Sequence, residues 1–568
     1  MLIFYDFEVF KYDWIVVLIN PIEQKQTVIY NNKTALELFH EQHKDDIWIG
    51  YNSRSYDQYI LKGILLDFNP YEINDWIIRQ KRKGWEYSSL FNKIQLYNYD
   101  CMPKQNSLKQ LEGFMGNSMK ETSVPFDIDR KLTGDELVEV IKYCKHDVEQ
   151  TLEVFIRNKS EFDAHIQMIK TFHLPFKYIT KTQAQLSALA LGCTKKEWFD
   201  EWDYSIIDTL KISKYKEVID WFNLQKDARN YDATLTIDVC GIPHQFGWGG
   251  LHGAADHPVH IKGLLIHVDV TSFYPSIMIK YDMLSRNVED KEVYKQIYDK
   301  RVALKAAGKK KEQAPYKIIL NATFGICKDK YSNAYDPRRA NEVTVNGQLL
   351  LLDLLEHLEG HCELIQSNTD GLIIQIPDTD EAFNTVDDIC YEWECRTGMK
   401  LGFDTITEIW QKDVNNYIFR FENGKLERKG AYVKELNELD NDLPIINTAL
   451  VDYMTRKIEI EDTIMQCDDL KQFQKIYKVS SAYECGWHNG KQLQEKTFRV
   501  FASKDKHDTF MGKMKYKKAG ELTIERFANT PEHCFIDNSD INDKKVPDNL
   551  DRQYYIDLAK TRLKQFGM

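Results

Sequence analysis

The pattern of apolar and polar positions in residues 1–165 predicts a mixed α/β unit. The segments MLIFYDFEVF and WIVVLIN are rich in β-branched and aromatic residues and are separated by a short polar turn, which predicts a hairpin. Residues 47–66 run from a strand through a polar turn into a helix. Residues 134–155 have apolar positions at helical spacing behind Gly134 and Asp135, which predicts a long helix.

The pattern changes along the rest of the chain. Residues 166–255 are predicted to be helical and polar, ending in the glycine-rich FGWGGLHGA. Four elements are then predicted: a strand GLLIHVDV, a helix after Tyr274, a helix over 291–308 that ends at Gly308, and a second helix following Pro315. ELIQSNTDGLIIQI predicts a β-hairpin with Asn368–Gly371 in its turn, and 435–568 mixes helix with short strands.

Length and composition limit the class of protein. A chain of 568 residues is too long for one core and predicts two to four domains. The 43% hydrophobic and 29% charged residues are typical of a soluble globular protein, and no apolar run is long enough to predict a membrane span. The N-terminus has no basic region and early acidic residues, unlike a signal peptide. Eleven cysteines without a C-x-x-C pair favour reduced thiols, so we expect a cytoplasmic protein.

The net charge of −12 argues weakly against nucleic-acid binding, but the charge is uneven. The stretches 300–330 and 504–518 are locally basic. Each stretch is either a solvated surface or a phosphate-binding surface, and the sequence leaves both open.

Acidic residues form a first candidate site in the N-terminal unit. Asp6 and Glu8 are two residues apart on a predicted strand, so both side chains point to one face. Asp57 follows a polar turn, and Asp147 lies on a helix one turn after Tyr143. Carboxylates that converge in this way suit two Mg²⁺ or Mn²⁺ ions, which flank the attacking water and the leaving oxygen in phosphodiester hydrolysis. Tyr143 is a candidate for orienting that water.

Each acidic motif alone is commonplace on protein surfaces, and only the ordered set is specific. D-x-E, N-x₃-YD and Y-x₃-D in this order resemble the three exonuclease motifs of proofreading polymerases, which have a DnaQ-like (RNase H-type) fold. The pair Ser107 and Leu108 is similar to the Ser/Thr-Leu pair with which such domains hold a single-stranded 3′ end. The resemblance implies that Asn52 and Tyr56 also contact DNA.

A second pair of acids lies further along the chain. Asp269 ends a predicted strand and Asp370 lies in a hairpin turn, so the two could form another two-metal site, although each could also be a plain turn residue. Between them, two pairs at i and i+4 on predicted helices could bind a triphosphate or could be exposed helix charges. These pairs are Arg301 with Lys305 and Lys317 with Asn321.

Three segments around these residues resemble the motifs of family B DNA polymerases. DVTSFYPSI is similar to motif A, KIILNATFG to motif B and SNTDG to motif C, in the order of the family and behind an exonuclease. The resemblance covers the chain from Asp6 to about Gly430. It implies that Asp269, Asp370 and the carbonyl of Val270 bind the polymerase metal ions.

The same resemblance implies roles for residues around the acids. Tyr274 would stack under the sugar and exclude a 2′-OH, and Trp248-Gly249-Gly250 takes the place of a Y-x-G-G segment that contacts the template. The remaining residues would contact the incoming dNTP or the nascent pair: Arg301, Lys305, Lys317, Asn321 and Phe324.

The sequence departs from the family pattern at two places. Motif C usually reads D-T-D-S, and here it begins with Asn368 and ends with Gly371. The K-x-Y segment that contacts the primer appears as Asn415-Asn416-Tyr417, so its lysine is missing, and Lys429 or Lys412 is the candidate replacement.

The spacing of the motifs predicts a minimal polymerase. Only about 50 residues separate Asp269 from Lys317 and Lys317 from Asp370, which leaves no room for the insertions of protein-primed phage replicases. We therefore expect a phage or mobile-element enzyme that extends a nucleic-acid primer, acting as a monomer on primed DNA and dNTPs. A single-strand-binding protein, a helicase and a clamp are the candidate partners.

The expected architecture is a DnaQ-like α/β exonuclease domain followed by an α+β right-hand polymerase. The expected domains are the exonuclease at 1–165, a helical connector at 166–255, a palm at 256–290 and 331–434, a fingers hairpin at 291–330, and a thumb at 435–568. Two alternatives remain open: a nuclease with a vestigial palm, and a nucleic-acid-binding protein without turnover.

Overall fold

The computed structural model describes residues 1–103, 106–430, 432–516 and 521–568. These residues form two compact units. The first comprises 1–180, 436–453 and 457–558, and the second comprises 181–435, 454–456 and 559–568. The division differs from the predicted domain boundaries, because most of the segment expected to be a thumb clusters with the N-terminal residues.

A five-stranded sheet forms the centre of the N-terminal part of the first unit, in the order β3-β2-β1-β4-β5. The predicted β1–β2 hairpin is present, β4 pairs in parallel with β1, and β5 pairs in parallel with β4. The core between sheet and helices is aromatic and aliphatic and includes Tyr5, Trp48 and Leu61. The elements are β1 (Leu2–Val9), β2 (Trp14–Asn20), β3 (Lys25–Tyr30), α1 (Lys33–His43), β4 (Ile47–Gly50), α2 (Asp57–Leu65), α3 (Pro70–Asn74), β5 (Tyr97–Asp100), α4 (Leu108–Met115), α5 (Gly134–Arg157) and α6 (Lys159–Thr171). A π-helical turn (Asp75–Arg79) and short 3₁₀ turns (Gly84–Glu86, Ser89–Lys93, Phe176–Thr180) accompany them.

A nine-stranded sheet organises the second unit, in the order β14-β13-β12-β9-β11-β10-β8-β7-β6. Its elements are α7 (Gln183–Ala190), α8 (Lys216–Ala228), β6 (Leu235–Val239), β7 (Ile242–Phe246), β8 (His252–Ala254), β9 (Val259–Val270), α9 (Phe273–Lys280), α10 (Lys291–Ala306), α11 (Lys310–Lys328), α12 (Pro337–Leu358), β10 (Glu363–Asn368), β11 (Gly371–Gln375), α13 (Asp380–Thr397), β12 (Leu401–Asp413), β13 (Asn416–Phe421) and β14 (Leu426–Lys429). The helix α12 is buried along nearly its whole length and forms the core of this unit.

The C-terminal region adds two small sheets, β15-β18-β21 and β17-β16-β19-β20. Its elements are α14 (Pro444–Arg456), α15 (Ile460–Gln466), a 3₁₀ turn (Leu470–Phe473), β15 (Lys475–Lys478), β16 (Cys485–His488), β17 (Lys491–Leu493), β18 (Thr497–Ala502), β19 (Gly512–Tyr516), β20 (Leu522–Arg526), β21 (Cys534–Ile536) and α16 (Arg552–Lys564). Lys517 and Lys518 of the predicted basic stretch lie outside the described residues.

One buried arginine explains why this region joins the first unit. Arg499 is fully buried on β18 and donates to the carbonyl oxygens of Gly113 (3.2 Å) and Asn117 (2.7 Å). It also donates to the side chain of Gln474 and to the carbonyls of Asp537 and Ser539. Its five hydrogen bonds connect three segments that are remote in sequence.

Two secondary-structure predictions are wrong. The connector 166–255 is only partly helical, because β6 and β7 form a hairpin over 235–246 around Cys240 and Gly241, which both have positive φ. The alternating apolar and polar residues of LTIDV and IPHQF predict this hairpin, and the expectation of helix overlooked them. The second helix begins at Lys310 rather than after Pro315, which lies within α11 in its second turn.

Two further expectations concern membrane-spanning helices and the state of the cysteines. No helix among the described residues is long and apolar enough to cross a membrane. All eleven cysteines are free thiols.

Candidate active sites

The first carboxylate site is built on β1. Asp6 and Glu8 pair with Val17 and Ile15 of β2, so both acids lie on one face of the sheet. Glu8 is buried and Asp6 is partly buried. The other residues of β1 are aliphatic or aromatic and mostly buried. They fix the register of the strand against the core and so hold the two acids side by side.

Asp57 is held against the same strand. It is the first residue of α2, and its Oδ1 accepts a hydrogen bond of 3.1 Å from the backbone N–H of Phe7. Phe7 is the residue between the two strand acids. The bond therefore places the Asp57 carboxylate next to both Asp6 and Glu8.

Asp147 reaches the group from α5, which packs on β1 and β2. Cys144, one turn earlier on that helix, donates through its Sγ to the backbone carbonyl of Asp6 at 3.4 Å. Burial raises the pKa of Tyr143 and the charge of Asp147 raises it further, so the Tyr143 ring lies beside this carboxylate. The structure thus brings Asp6, Asp147 and Tyr143 together from a strand and a helix that are 140 residues apart.

The electrostatics of this cluster fit a site for divalent cations. Burial raises the pKa of Asp6, and the charges of Asp57, Glu8 and Asp147 raise it further. Burial likewise raises the pKa of Glu8, and it raises the pKa of Asp57 to about 7. Buried carboxylates that crowd together repel one another, and oxygen donors in such a set match Mg²⁺ or Mn²⁺. The four acids are therefore the residues that could hold such ions.

Lys109 is a member of this site that sequence reasoning missed. Its Nζ donates to Asp147 Oδ1 at 2.6 Å and to Glu112 Oε1 at 3.0 Å, and it lies 4.8 Å from the centre of the Tyr143 ring. Glu112 is completely buried. The lysine directly follows the predicted Ser107-Leu108 pair, and that adjacency was the signal available in the sequence.

The predicted 3′-end residues surround the cluster. Ser107 is the N-cap of α4 and forms a capping box with Gln110, while Leu108 packs against a buried cluster that includes Leu111. Because Lys109 reaches Asp147, Ser107 and Leu108 are held close to the carboxylates.

Two residues of the N-x₃-YD motif have different surroundings. The Tyr56 hydroxyl donates to Asn74 Oδ1 at 2.8 Å. Burial raises the pKa of Tyr56 and so do the charges of Asp57, Glu8 and Asp6, so this ring lies beside the cluster. Asn52 takes a positive φ of 56° in the turn before α2.

The second candidate site lies where β9 and β11 meet in the nine-stranded sheet. Asp269 pairs with Gly371 and with Gly402 across the sheet. The N–H of Val270 donates to the backbone carbonyl of Asp370 at 2.8 Å. The two predicted metal ligands are therefore neighbours, although 100 residues separate them in sequence.

These two acids share a cavity of about 340 Å³ with residues of β13 and β14, among them Tyr417 and Lys429. Burial raises the pKa of Asp370, and the charge of Asp269 raises it further. Burial raises the pKa of Asp269, whereas the charge of Lys305 lowers it. Paired carboxylates in a partly buried cavity are donors that suit Mg²⁺.

Lys429 rather than Lys412 stands beside this cavity. It pairs with Tyr417 across β13 and β14, its Nζ lies 5.7 Å from the Tyr417 ring centre, and its charge lowers the pKa of Asp370. Lys412 instead forms an ion pair of 2.7 Å with Asp413. Of the two candidate replacements for the missing lysine, the geometry favours Lys429.

Tyr274 and Arg301 line the turn after Asp269. The Tyr274 ring on α9 contacts Phe324 with centroids 4.7 Å apart, and burial together with the charge of Asp370 raises the pKa of Tyr274 to about 12. Arg301 on α10 donates through Nη1 to Ser272 Oγ at 2.6 Å. Ser272 has a positive φ of 49°, which turns the chain from β9 into α9.

Lys317 and Asn321 lie exposed on α11, and the structure does not bring them into contact with the two acids. Phe324, three residues after Asn321 and seven after Lys317, is on the same helix face and touches Tyr274. This face of α11 is therefore turned toward the side of the site that Tyr274 occupies.

The Trp248-Gly249-Gly250 segment approaches the turn that carries Asp370. The N–H of Thr369 donates to the carbonyl of Leu251 at 2.7 Å, and a Cβ added to Gly250 would lie 2.4 Å from Thr369 Oγ1. Only glycine fits there. The Trp248 ring packs instead in an aromatic cluster that includes Trp202, and a Cβ on Gly249 would meet open space.

The altered motif C has a structural explanation. Asn368 Nδ2 donates to the carbonyl of Val414 at 3.2 Å, a bond that an aspartate could not make. A Cβ on Gly371 would lie 3.0 Å from His267 Nε2, so glycine makes room for this histidine at the cavity. His267 and Glu427 are cavity residues that the sequence analysis missed.

Comparison with known proteins begins with the sequence. No protein-family model matches the chain. DNA polymerase 1 of Sulfurisphaera ohwakuensis is 24% identical over 195 residues, which are 34% of this chain. DNA polymerase 1 of Saccharolobus solfataricus is 22% identical over 303 residues, which are 51% of this chain. Over these residues the chain is similar to DNA polymerases.

These matches confirm the predicted resemblance to DNA polymerases. The matched regions span 21% and 30% of the two relatives, well under two thirds of either protein. Among solved structures, the family B DNA polymerase from the hyperthermophilic archaeon Pyrobaculum calidifontis aligns with all of this chain and 77% of its own, at 14% identity and a TM-score of 0.42.

Proposed function

We propose that this protein is a template-directed DNA polymerase that also carries a 3′→5′ proofreading exonuclease. The observation that carries the polymerase half is the juxtaposition of Asp269 and Asp370 at one cavity, joined by the bond from Val270 N–H to the Asp370 carbonyl. The sequence matches to DNA polymerases point the same way.

In the polymerase site, Asp269, Asp370 and the Val270 carbonyl would hold two Mg²⁺ ions, with Mn²⁺ as the alternative. Bound there, the ions would lower the pKa of the primer 3′-OH and neutralise charge on the triphosphate during in-line displacement. Tyr274 packs under the sugar, where its ring occupies the space that a ribose 2′-OH needs.

The other residues of this site bind and orient the substrates. Arg301, Lys305 and Lys317 bind the triphosphate as cations. Asn321 and Phe324 line the nascent base pair, while Tyr417 and Lys429 contact the primer strand. Trp248, Gly249 and Gly250 contact the template beside the Asp370 turn.

In the exonuclease site, Asp6, Glu8, Asp57 and Asp147 would hold a second pair of ions for phosphodiester hydrolysis. Tyr143 orients the attacking water, and its position beside Asp147 and Lys109 supports that role. Asn52, Tyr56, Ser107 and Leu108 hold the single-stranded 3′ end, which Tyr56 meets directly beside the carboxylates.

Extension of a labelled primed template by the purified chain tests this proposal, with and without dNTPs and in Mg²⁺ or Mn²⁺. We expect extension with dNTPs and shortening of the primer without them. Asp269→Ala should abolish extension and leave shortening intact, and Asp6→Ala with Glu8→Ala should do the reverse. If the wild-type chain shortened the primer without extending it, a nuclease with a vestigial palm would be favoured. If it neither shortened nor extended the primer, a nucleic-acid-binding protein would be favoured.

The biological setting is part of the same proposal. The short intervals between the motifs support a minimal enzyme of a phage or mobile element, working in the host cytosol as a monomer. A phage single-strand-binding protein, a helicase or a clamp would then supply processivity. If the purified chain displaced kilobases of duplex without a partner protein, the proposal of a minimal enzyme would be contradicted.

A further inference from the structure

A short segment of the first unit concentrates positive charge that neither candidate site uses. Residues 76–85, here called the 76–85 loop, carry Arg79, Lys81, Arg82 and Lys83 and no acidic residue, in a chain whose net charge is −12. All four side chains are exposed.

The charges of the loop are largely uncompensated. Among the described residues, Lys81, Arg82 and Lys83 form no ion pair with a carboxylate, whereas Arg79 forms an ion pair of 3.6 Å with Asp75. Exposed cations within one short loop raise the local positive potential and favour a polyanionic ligand.

Aromatic side chains are interleaved with the cations. The Arg82 guanidinium lies 4.3 Å from the centre of the Trp76 ring. Trp85 is 64% exposed and Ile78 is 49% exposed, so the loop presents apolar and aromatic surface beside its cations. An exposed indole beside cations matches a nucleic-acid surface, where bases stack on aromatic rings and phosphates bind arginine and lysine.

The loop is folded in advance of any ligand. Trp76 Nε1 donates to the carbonyl of Lys83 at 3.1 Å, and the N–H of Arg82 donates to the carbonyl of Trp76 at 3.1 Å. The Trp76 ring meets Tyr87 edge to face, and a Cβ on Gly84 would lie 2.2 Å from the Tyr59 ring. Only glycine permits that approach, so the loop is seated on the unit and loses little entropy on binding.

The loop begins next to the first carboxylate site. Trp76 follows two residues after Asn74, whose side chain accepts the hydrogen bond from Tyr56, and Tyr56 directly precedes Asp57. A strand that reaches the carboxylates past Tyr56 therefore passes the base of the loop.

We propose that the 76–85 loop is a binding surface for single-stranded DNA. Arg79, Lys81, Arg82 and Lys83 contact phosphates, and Trp85 stacks on an unpaired base. Single strands suit this surface better than duplex, because bases inside a duplex are already stacked on each other and offer no face to an indole. The loop extends the proposed function only in that the bound strand leads toward the proposed exonuclease site.

Fluorescence anisotropy of a labelled (dT)₂₀ strand with the full chain tests the surface. EDTA in the buffer prevents cleavage, so the measurement needs no activity of either site. Lys81→Gln with Lys83→Gln keeps the Arg82–Trp76 contact and should lower the slope of log affinity against log salt by about 1.4, at roughly 0.7 per lost phosphate contact. Trp85→Ala should weaken binding about 5- to 150-fold and leave the salt slope unchanged.

The matched control removes two exposed lysines elsewhere in the same unit, through Lys25→Gln with Lys142→Gln. It has the same net charge as the loop variant and should bind like the wild type. Equal weakening by the control variant, or unchanged binding by Trp85→Ala, would overturn the proposal. A blunt duplex should show no effect of Trp85→Ala, and equal losses on duplex and single strand would overturn the preference for single strands.

The outcome is separable from that of the proposed function. If loop variants lose binding while the wild-type chain shows no nuclease activity in Mg²⁺, the binding surface stands and the exonuclease proposal fails. If the chain shortens primers but loop variants bind (dT)₂₀ normally, the exonuclease stands and the binding surface fails.

Discussion

Replacing Lys109 by methionine should damage the first carboxylate site from within. The substitution keeps most of the volume of the side chain and removes the ammonium that bonds Asp147 and the fully buried Glu112. Two carboxylates then share a buried space without their main cation. We expect the helices α4 and α5 to lose stability, because each carries one of these acids.

The magnitude follows from the burial of the three groups. Lys109 and Asp147 side chains are each 11% exposed, and that of Glu112 is fully buried. Removing one partner of such a pair costs about 3–5 kcal/mol. His146, 3.5 Å from Glu112, remains as a partial partner, so we expect the lower end, about 3 kcal/mol. A loss of about 3 kcal/mol makes local opening of α4 and α5 about 150-fold more frequent, so amide exchange through that opening is about 150-fold faster.

The loss of stability caused by Lys109→Met should grow as the pH rises. Burial raises the pKa of Asp147 to about 6, and the charge of Lys109 opposes that rise. Without the lysine the pKa of Asp147 rises further above its unfolded value near 4. An acid with a raised folded-state pKa keeps its stabilising effect below pH 4 and loses it as pH rises through the folded-state value. The variant should therefore resemble the wild type near pH 5 and differ most near pH 8.

Hydrogen–deuterium exchange of peptides from α4 and α5, measured at pH 5 and pH 8, checks both expectations. Exchange is preferable to a global melt because the chain has two compact units and need not unfold in one step. Lys142→Met is the matched control, since Lys142 is an exposed lysine on α5. If Lys109→Met exchanged no faster than this control at pH 8, the buried ion pair would not have the role that we assign to it.

Three further variants address other parts of the molecule. Tyr274→Ala should raise the incorporation of rNTPs relative to dNTPs by about tenfold or more, and unchanged selectivity in primer extension would contradict its position under the sugar. Gly371→Ser should slow extension several-fold because the added Cβ meets the side chain of His267. In a double-mutant cycle, His267→Ala should relieve that loss, with a coupling energy of about 1 kcal/mol between the two positions. Additive effects would show that the contact is unimportant. Arg499→Met should destabilise the first unit by about 3–5 kcal/mol, because five acceptors lose their donor and those at Gly113, Asn117 and Gln474 are buried. The loss should appear as faster exchange at residues 113–117 and 537–539, and normal protection there would contradict the inference.

Much of the local structure could be predicted from the sequence. The β1–β2 hairpin, the long helix of Asp147 and the hairpin turn around Asp370 all follow from short-range patterns, since strand alternation and helical spacing act over a few residues. The failures were also local. LTIDV and IPHQF form a hairpin where helix is expected, and Pro315 lies in the second turn of a helix that is expected to begin after it.

Which residues belong to each site depends on contacts between segments that are far apart in sequence. Lys109 and Glu112 join the first cluster because α4 packs beside α5, and His267 lines the second cavity because Gly371 lacks a Cβ. The choice of Lys429 over Lys412 follows from the pairing of β13 with β14, which places Lys429 over Tyr417. Neither spacing nor composition contains this information.

The sequence by itself determined which acids exist, their order along the chain and the strands and helices that carry them. The tertiary structure decided which of those side chains meet, and with what partners. The physical reason is that acids form a candidate metal site only where packing brings their carboxylates together. Asp6 and Asp147, or Asp269 and Asp370, acquire those neighbours through pairing and packing between segments at least 100 residues apart.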